Sequence, residues 1–314
     1  MKKKYLYFLT NFFLVSSYSF SSSSDLKNSS NVLPKVVSLS IASDELLFEL
    51  YSRSKQLSRI LAFSKLVDDP RYSNIAQQSA IFSNKERYGG SLEHLLKLAP
   101  ELVVLADFNQ PELVHNLKKS KTPIFELKSS NTLVGLLELI KSLGNRLGAS
   151  EHSTALTLEL ETKLTKIKKN ANGMKNKPQV LFLLADGTSA GEDTLIHDLI
   201  VQAGGINFAS SFQLKGWPHI STEQLLKSQA DLILTIGKDQ NIETRFFQKH
   251  PIYKNLIAVQ KNQIILINEA KLFAMSHFTF AACEELQKNL LIWSNNMETT
   301  KATRHRNQST RAKK

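Results

Sequence analysis

SLEHLLKLAPELVVL (residues 91–105) and STEQLLKSQADLILT (residues 221–235) are two copies of one pattern. Glu93 answers Glu223, Leu95 answers Leu225, Leu96 answers Leu226, Lys97 answers Lys227, Glu101 answers Asp231 and Leu102 answers Leu232. Each copy reads as a short helix running into a buried strand. Ser91 and Ser221 are N-caps, and the acid two residues on complements the positive end of the helix. The apolar residues that close each copy have the composition of a buried strand. A single wide spacing is unlike a solenoid, whose units recur every ~20 to 50 residues, and means two similar lobes. Two lobes enclose a cleft. Their matched acids make a symmetric surface that a two-fold partner can grip.

Working outward, residues 36–41 (VVSLSI) read as a strand, and Ser43 as the cap of a helix starting near Glu45. Residues 59–63 and 123–127 read as strands, 111–119 as a helix, and Tyr88-Gly-Gly90 as a loop. Strand alternating with helix argues for a parallel sheet with helices on both faces. Residues 133–147 and 151–169 then have helical spacing, with Leu156, Leu160, Leu164 and Ile167 on one stripe. About 20 helical residues span about 30 Å, enough for a rod between lobes. The pattern restarts with a strand at 180–184 and a helix at 193–199 that echoes 44–50. Strands follow at 232–236 and 264–267, and an amphipathic helix at 278–293. The fold class is therefore α/β: two similar lobes, each a parallel sheet flanked by helices, joined by one long helix.

The net charge of +12 is concentrated at the ends. Lys2, Lys3 and Lys4 supply three charges and residues 301–314 supply six with no acid, leaving +3 for the body. A nucleic-acid surface places its basic patch on the fold itself, so none is expected. Three lysines, an apolar run of 11 residues (5–15) and the small residues Ser19 and Ser21 read as a secretory signal, too short to span a bilayer. The expected organisation is a signal peptide at 1–21, a flexible leader at 22–33, an N-terminal lobe at 34–147 and a linking helix at 148–173. A C-terminal lobe at 174–297 and a basic disordered tail at 298–314 complete it. The mature chain is expected to be soluble and exported. Cys283, the one cysteine, excludes an intrachain disulfide and offers no lipid anchor near the N-terminus.

Four pieces taken together resemble the periplasmic substrate-binding proteins of bacterial ATP-driven importers for vitamin B12, iron-siderophores and heme. They are the strand at 36–41 with the helix start at 45–48, residues 89–103, residues 203–207, and residues 216–226 (GWPHISTEQLL). The resemblance covers roughly residues 34–293. It implies the class III arrangement of two lobes on one rigid helix, no catalysis, no intrinsic cofactor and no resident metal. It also implies a membrane permease dimer as partner, gripped through Glu93 and Glu223 by arginine pockets. The transported ligand is expected to be cobalamin or a ferric chelate.

In a parallel α/β lobe the loops after the strands line the crevice. Those loops carry Phe63, Tyr88, Phe108 and Trp217. A tryptophan at the place of Trp217, six residues before Glu223, contacts the ligand in B12-binding relatives. Tyr88 lies near, though closer to Glu93 than, the iron-ligating tyrosine of heme-binding ones. Arg87 is a candidate partner for a siderophore anion or a propionate, and His277 a further cleft residue. A corrinoid is the expected cargo, with a ferric siderophore or heme as the alternative. B12-binding relatives carry a tryptophan shortly before the first glutamate, where this chain has Arg87 and Tyr88, and an aromatic in the loop near Gly187, which this chain lacks; both departures bear on B12. A zinc- or manganese-binding importer component, built on His219 and His277, is a further alternative. No nucleotide-binding or Gly-x-Ser-x-Gly motif points to an enzyme.

Overall fold

A computed structural model describes residues 32–79, 85–88, 90–109 and 111–311. The expected signal peptide and nearly all of the leader lie outside the described residues. The elements in chain order are β1 (Val36–Ser38), α1 (Ile41–Arg53), β2 (Ile60–Ser64), α2 (Ala76–Ser79), β3 (Glu86–Tyr88), α3 (Leu92–Lys97), β4 (Leu102–Ala106), α4 (Pro111–Lys119) and β5 (Ile124–Leu127). Then come α5 (Leu133–Leu147), α6 (Ser150–Asn172), β6 (Gln179–Phe182), α7 (Leu195–Gln202), β7 (Ile206–Asn207), α8 (Thr222–Leu226) and β8 (Leu232–Ile236). The last are α9 (Gln240–Lys249), α10 (Ile257–Gln260), β9 (Ile264–Ile267), α11 (Glu269–Leu272) and α12 (Phe278–Arg311).

Two parallel sheets result, ordered β3-β2-β1-β4-β5 and β7-β6-β8-β9. The repeat is visible in their registers: Val36 lies opposite Leu102 as Val180 lies opposite Leu232. The matched acids Glu101 and Asp231 do the same task in each sheet. Glu101 Oε2 accepts the Lys35 N–H at 2.6 Å, and Asp231 Oδ2 accepts that of Gln179 at 2.9 Å. Each thereby satisfies a backbone donor at the head of a central strand, where no ladder partner reaches. β4 is buried along its whole length, as expected of a central parallel strand covered on both faces.

Helix α6 buries Leu156, Leu160, Leu164 and Ile167 and holds both halves of the chain. Arg53 of α1 grips Glu159 with two hydrogen bonds of 2.8 Å, and Gln287 of α12 bonds to the Ile167 carbonyl at 2.5 Å. One apolar core runs from β1 and α1 through α5 and α6 to β6, α7 and α12. At 23 residues α6 is about 34 Å long.

Three local readings are corrected. The cap of α1 is Ser40, whose Oγ accepts from Ser43 N while Ser43 Oγ accepts from Ser40 N; β1 therefore stops at Ser38. Tyr88 ends a strand, because Glu86-Arg-Tyr88 pairs with β2 although its composition is polar. The backbone is helical to Arg311 where a disordered tail is expected from 298. No glycine or proline interrupts residues 278–311, so nothing local stops the helix.

Candidate functional site

The C-terminal ends of β1, β2, β3 and β4 converge on one side of the cleft. Asn109 ties two of these loops together, its Oδ1 accepting from Ala106 N (2.7 Å) and its Nδ2 donating to the Leu39 carbonyl (3.1 Å). Gly90, which adopts φ +105°, turns the chain from Tyr88 into α3, a conformation that disfavours any side chain. Facing these loops is the segment from α11 to Met275. Between them lies a cavity of about 570 Å³, lined among others by Tyr72, Tyr88, Phe108, Lys65, Glu269 and Phe273. A smaller hollow of about 190 Å³, lined by Trp217, adjoins it through Phe273 and Met275, which border both.

Trp217 is held by backbone zipping. Ser189 N donates to the Pro218 carbonyl (2.8 Å), Gly191 N to that of Gly216 (2.9 Å) and Glu192 N to that of Leu214 (2.8 Å). The indole packs on Phe182 and Phe273, with centroids 6.2 and 5.8 Å away, and remains half exposed. A β-carbon at Gly191 would lie 2.2 Å from the Leu214 oxygen. Gly191→Ala is therefore expected to displace the Trp217 loop, shifting Trp217 emission and raising its acrylamide quenching while α6 and both sheets stay folded. Unchanged quenching would count against this role for Gly191.

The other sequence-derived candidates separate. Phe108 is 63% exposed at the cavity. Tyr88 borders the cavity but is only 6% exposed and packs in the core; its hydroxyl is buried with no hydrogen-bond partner, and burial raises its pKa. Phe63 is 1% exposed and belongs to the core. Its side chain faces inward on β2, so the reading of it as a ligand contact is corrected. Arg87 is engaged bidentately by Asp68 (2.6 and 2.8 Å), its guanidinium 5.9 Å from the Phe63 ring centroid, and it does not line the cavity. His277 is mostly covered (side chain 13% exposed) and lies against Phe278, with Nδ1 buried and unpartnered and Nε2 3.9 Å from Glu49 Oε2; it too lies outside the cavity lining. Desolvation lowers its pKa to about 4. Tyr72 and Phe273 line the cavity without having stood out in the sequence. Their one signal was position, shortly after β2 and β9.

Beneath the cleft sit two consecutive buried carboxyls of α1. Asp44 accepts from Ser64 N (2.9 Å) and Ser64 Oγ (2.5 Å). Glu45 accepts from Asn74 N (2.9 Å), Asn74 Nδ2 (2.8 Å) and Ser276 Oγ (2.5 Å). Desolvation raises both to about 7, against the pull of these hydrogen bonds. Among the described residues no three His, Cys, Asp or Glu side chains gather as metal ligands, and no helix is long and apolar enough to cross a membrane.

Glu93 and Glu223 have matching settings. Each lies in the first turn of its helix, has a side chain about three-quarters exposed (77% and 75%), and meets the lysine four residues on, at 2.8 and 2.6 Å.

Two parallel sheets with a cleft at the strand ends and one long helix serving both define a two-lobed α/β binding protein. Residues 36–270 match the family described as periplasmic binding protein, and the chain belongs to that family. It is 23% identical over 202 residues to a cobalamin-binding protein of Halobacterium salinarum, a match covering 63% of this chain and 55% of that protein. The chain thus spans about half the length of the curated relatives it matches. Its fold is also that of the periplasmic heme-binding protein RhuT of Roseiflexus, with 21% identity, TM-score 0.69, and coverage of 83% of this chain and 98% of that one. The vitamin B12 binding protein BtuF of Vibrio cholerae aligns with 20% identity and TM-score 0.65, covering 82% and 97%.

Proposed function

We propose that the chain is the solute-capturing component of an ATP-driven importer, that it works in the periplasm as a monomer, and that its cargo is a corrinoid delivered to a permease dimer through Glu93 and Glu223. The observation that carries this reading is the cavity. Its volume suits a small-molecule site, commonly ~300–1,000 Å³, and Phe108, Tyr72 and Phe273 offer aromatic surface to a rigid macrocycle. Its described lining holds one cation, Lys65, and one carboxylate, Glu269. A near-neutral wall suits a ring whose periphery is mostly amide. A polyanionic ferric chelate would call for the cations that are lacking, and Arg87, which could have served, is engaged by Asp68.

A second reading, heme or another ferric ligand, is favoured by one observation, the unpartnered Tyr88 hydroxyl. Burial holds this hydroxyl as the neutral phenol in the free protein, and only on losing its proton as a ferric ion binds would it be a hard oxygen donor. The two readings separate by titrating the protein with cyanocobalamin and with hemin, following Trp217 emission in a Trp293→Phe background and the visible absorption of each pigment. The corrinoid reading expects saturable quenching by cyanocobalamin, weakened about tenfold or more in Trp217→Ala as a buried aromatic contact is lost, and unaltered by Tyr88→Phe. Saturable hemin binding whose visible band is lost in Tyr88→Phe would transfer the proposal to heme. Binding of neither would sink both.

A further inference from the structure

The segment 270–276 forms one wall of the cleft and is fastened at both ends to the opposite wall. At one end, Asn74 Nδ2 donates to the Ala270 carbonyl at 2.7 Å. At the other, Ser276 Oγ donates to Glu45 Oε2 at 2.5 Å. Both anchors lead to the same carboxyl, because Asn74 is itself held to Glu45 Oε1 through its backbone N–H and its side chain. The residues bracketed by the two anchors include Phe273, Ala274 and Met275, which border the cavity. Met275 adopts φ +48°, a left-handed conformation that an unbranched L-residue keeps only where its surroundings enforce it. That twist presents the following serine to Glu45. Ser276 is fully buried at the head of α12, and its Oγ also accepts from Phe278 N (3.3 Å).

We propose that Glu45 is a positioning residue of the cleft. Through Asn74 and Ser276 it clamps the 270–276 strap of the second lobe onto α1 of the first, and so sets the width of the cavity before any ligand arrives. The inference rests on reading this cavity as the binding site. It explains why a carboxyl is kept in the interior at the boundary between the two sheets. A buried ionisable group is expensive unless fully hydrogen-bonded, and an apolar residue would pack there with no desolvation cost. What the apolar residue would lack is directionality. The strap's two anchors, one direct through Ser276 Oγ and one relayed through Asn74 to the Ala270 carbonyl, fix it in a single position, whereas apolar packing would let it slide. The phenyl ring of Phe273, on the strap, is also the nearest aromatic neighbour of Trp217 at 5.8 Å, so the indole reports where the strap is.

The test needs no ligand. Hydrogen exchange is measured on the full chain for the wild type, Asn74→Ala, Ser276→Ala and Glu45→Gln. Acrylamide quenching of Trp217 is followed in each in a Trp293→Phe background. Asn74→Ala and Ser276→Ala are expected to speed exchange at 270–276 by about tenfold, since the first removes the hydrogen bond to the Ala270 carbonyl and the second the one from Ser276 to Glu45. Amides of β1, β4, β6 and β8 should keep their wild-type rates, and Trp217 should become more quenchable in parallel. Glu45→Gln retains an acceptor for these donors and should stay within about threefold of wild type. A rise spread evenly over both sheets would show Glu45 to be a plain stability element and overturn the proposal. Unchanged exchange at 270–276 would overturn it as well. Because neither readout involves cargo, a failed corrinoid titration and a failed clamp are told apart.

Discussion

Transport should fall to background in a Glu93→Ala, Glu223→Ala double variant, while the protein folds and binds its cargo as the wild type does. The size of the effect follows from what a carboxylate does when it enters an arginine pocket. Truncating one side of a hydrogen-bonded charge pair at an interface costs about 2–5 kcal/mol, much of it the penalty on the partner left behind. One variant alone should therefore lose roughly 30-fold or more, by the tenfold-per-1.4 kcal/mol rule. Nothing comparable is at stake in the free protein. The lysine pairs of Glu93 and Glu223 are exposed i,i+4 contacts, a class worth about 0.3–0.5 kcal/mol and easily surrendered. Their position in the first helical turn contributes a further ~0.3–1 kcal/mol. Thermal unfolding should thus move little, so a transport defect isolates docking from stability. Uptake of labelled cyanocobalamin, or ATP hydrolysis by the reconstituted importer, provides the measurement. Normal transport by the double variant would rule out these two acids as the grip.

The second large effect is a pH dependence of stability set by Asp44 and Glu45. Their ordinary values are 3.8 and 4.5, and burial raises both to about 7 in the folded chain. Between about pH 4 and pH 7 the folded state therefore binds more protons than the unfolded one, and stability falls as pH rises. The contribution is complete below the unfolded values and gone above the folded ones. At 1.36 kcal/mol per unit, Asp44 accounts for roughly 4 kcal/mol and Glu45 for roughly 3. His277 acts in the opposite sense. Lowered from 6.5 to about 4, it adds stability as pH rises through that interval. The clean observable is the difference between wild type and Asp44→Asn, Glu45→Gln, in which the histidine contribution cancels. Urea unfolding from pH 4.5 to 8 should show the wild type losing at least about 3 kcal/mol relative to the variant. Parallel curves would mean that these carboxyls ionise at their ordinary values.

Much of the architecture is written locally. The serine-led repeat, the apolar strands at 102–106 and 232–236, and the Leu156-to-Ile167 stripe each encode an element through spacing alone. The exposed pair Glu93 and Glu223 was legible for the same reason, since a first-turn acid on a short polar helix has nowhere to be buried. Elements that depend on a neighbour for their identity were not legible. β3 is a strand because β2 pairs with it, and β7 is only two residues long. The cap of α1 moved from Ser43 to Ser40 because three serines within six residues offer the same chemistry. Only the backbone path decides among them.

The amino-acid pattern by itself determined that this chain has two related lobes, a rod serving both, and twin acids on matched helices. Periodicity and capping act over a few residues, so they survive in the one-dimensional record. Tertiary structure alone decided which aromatics meet the cleft, turning Phe63 inward and Phe108 outward. It also decided that Arg87 is engaged by Asp68 and that Glu45 reaches a serine 231 residues away. Those outcomes hang on contacts between distant segments, where burial and hydrogen-bond geometry are fixed only when the chain closes on itself.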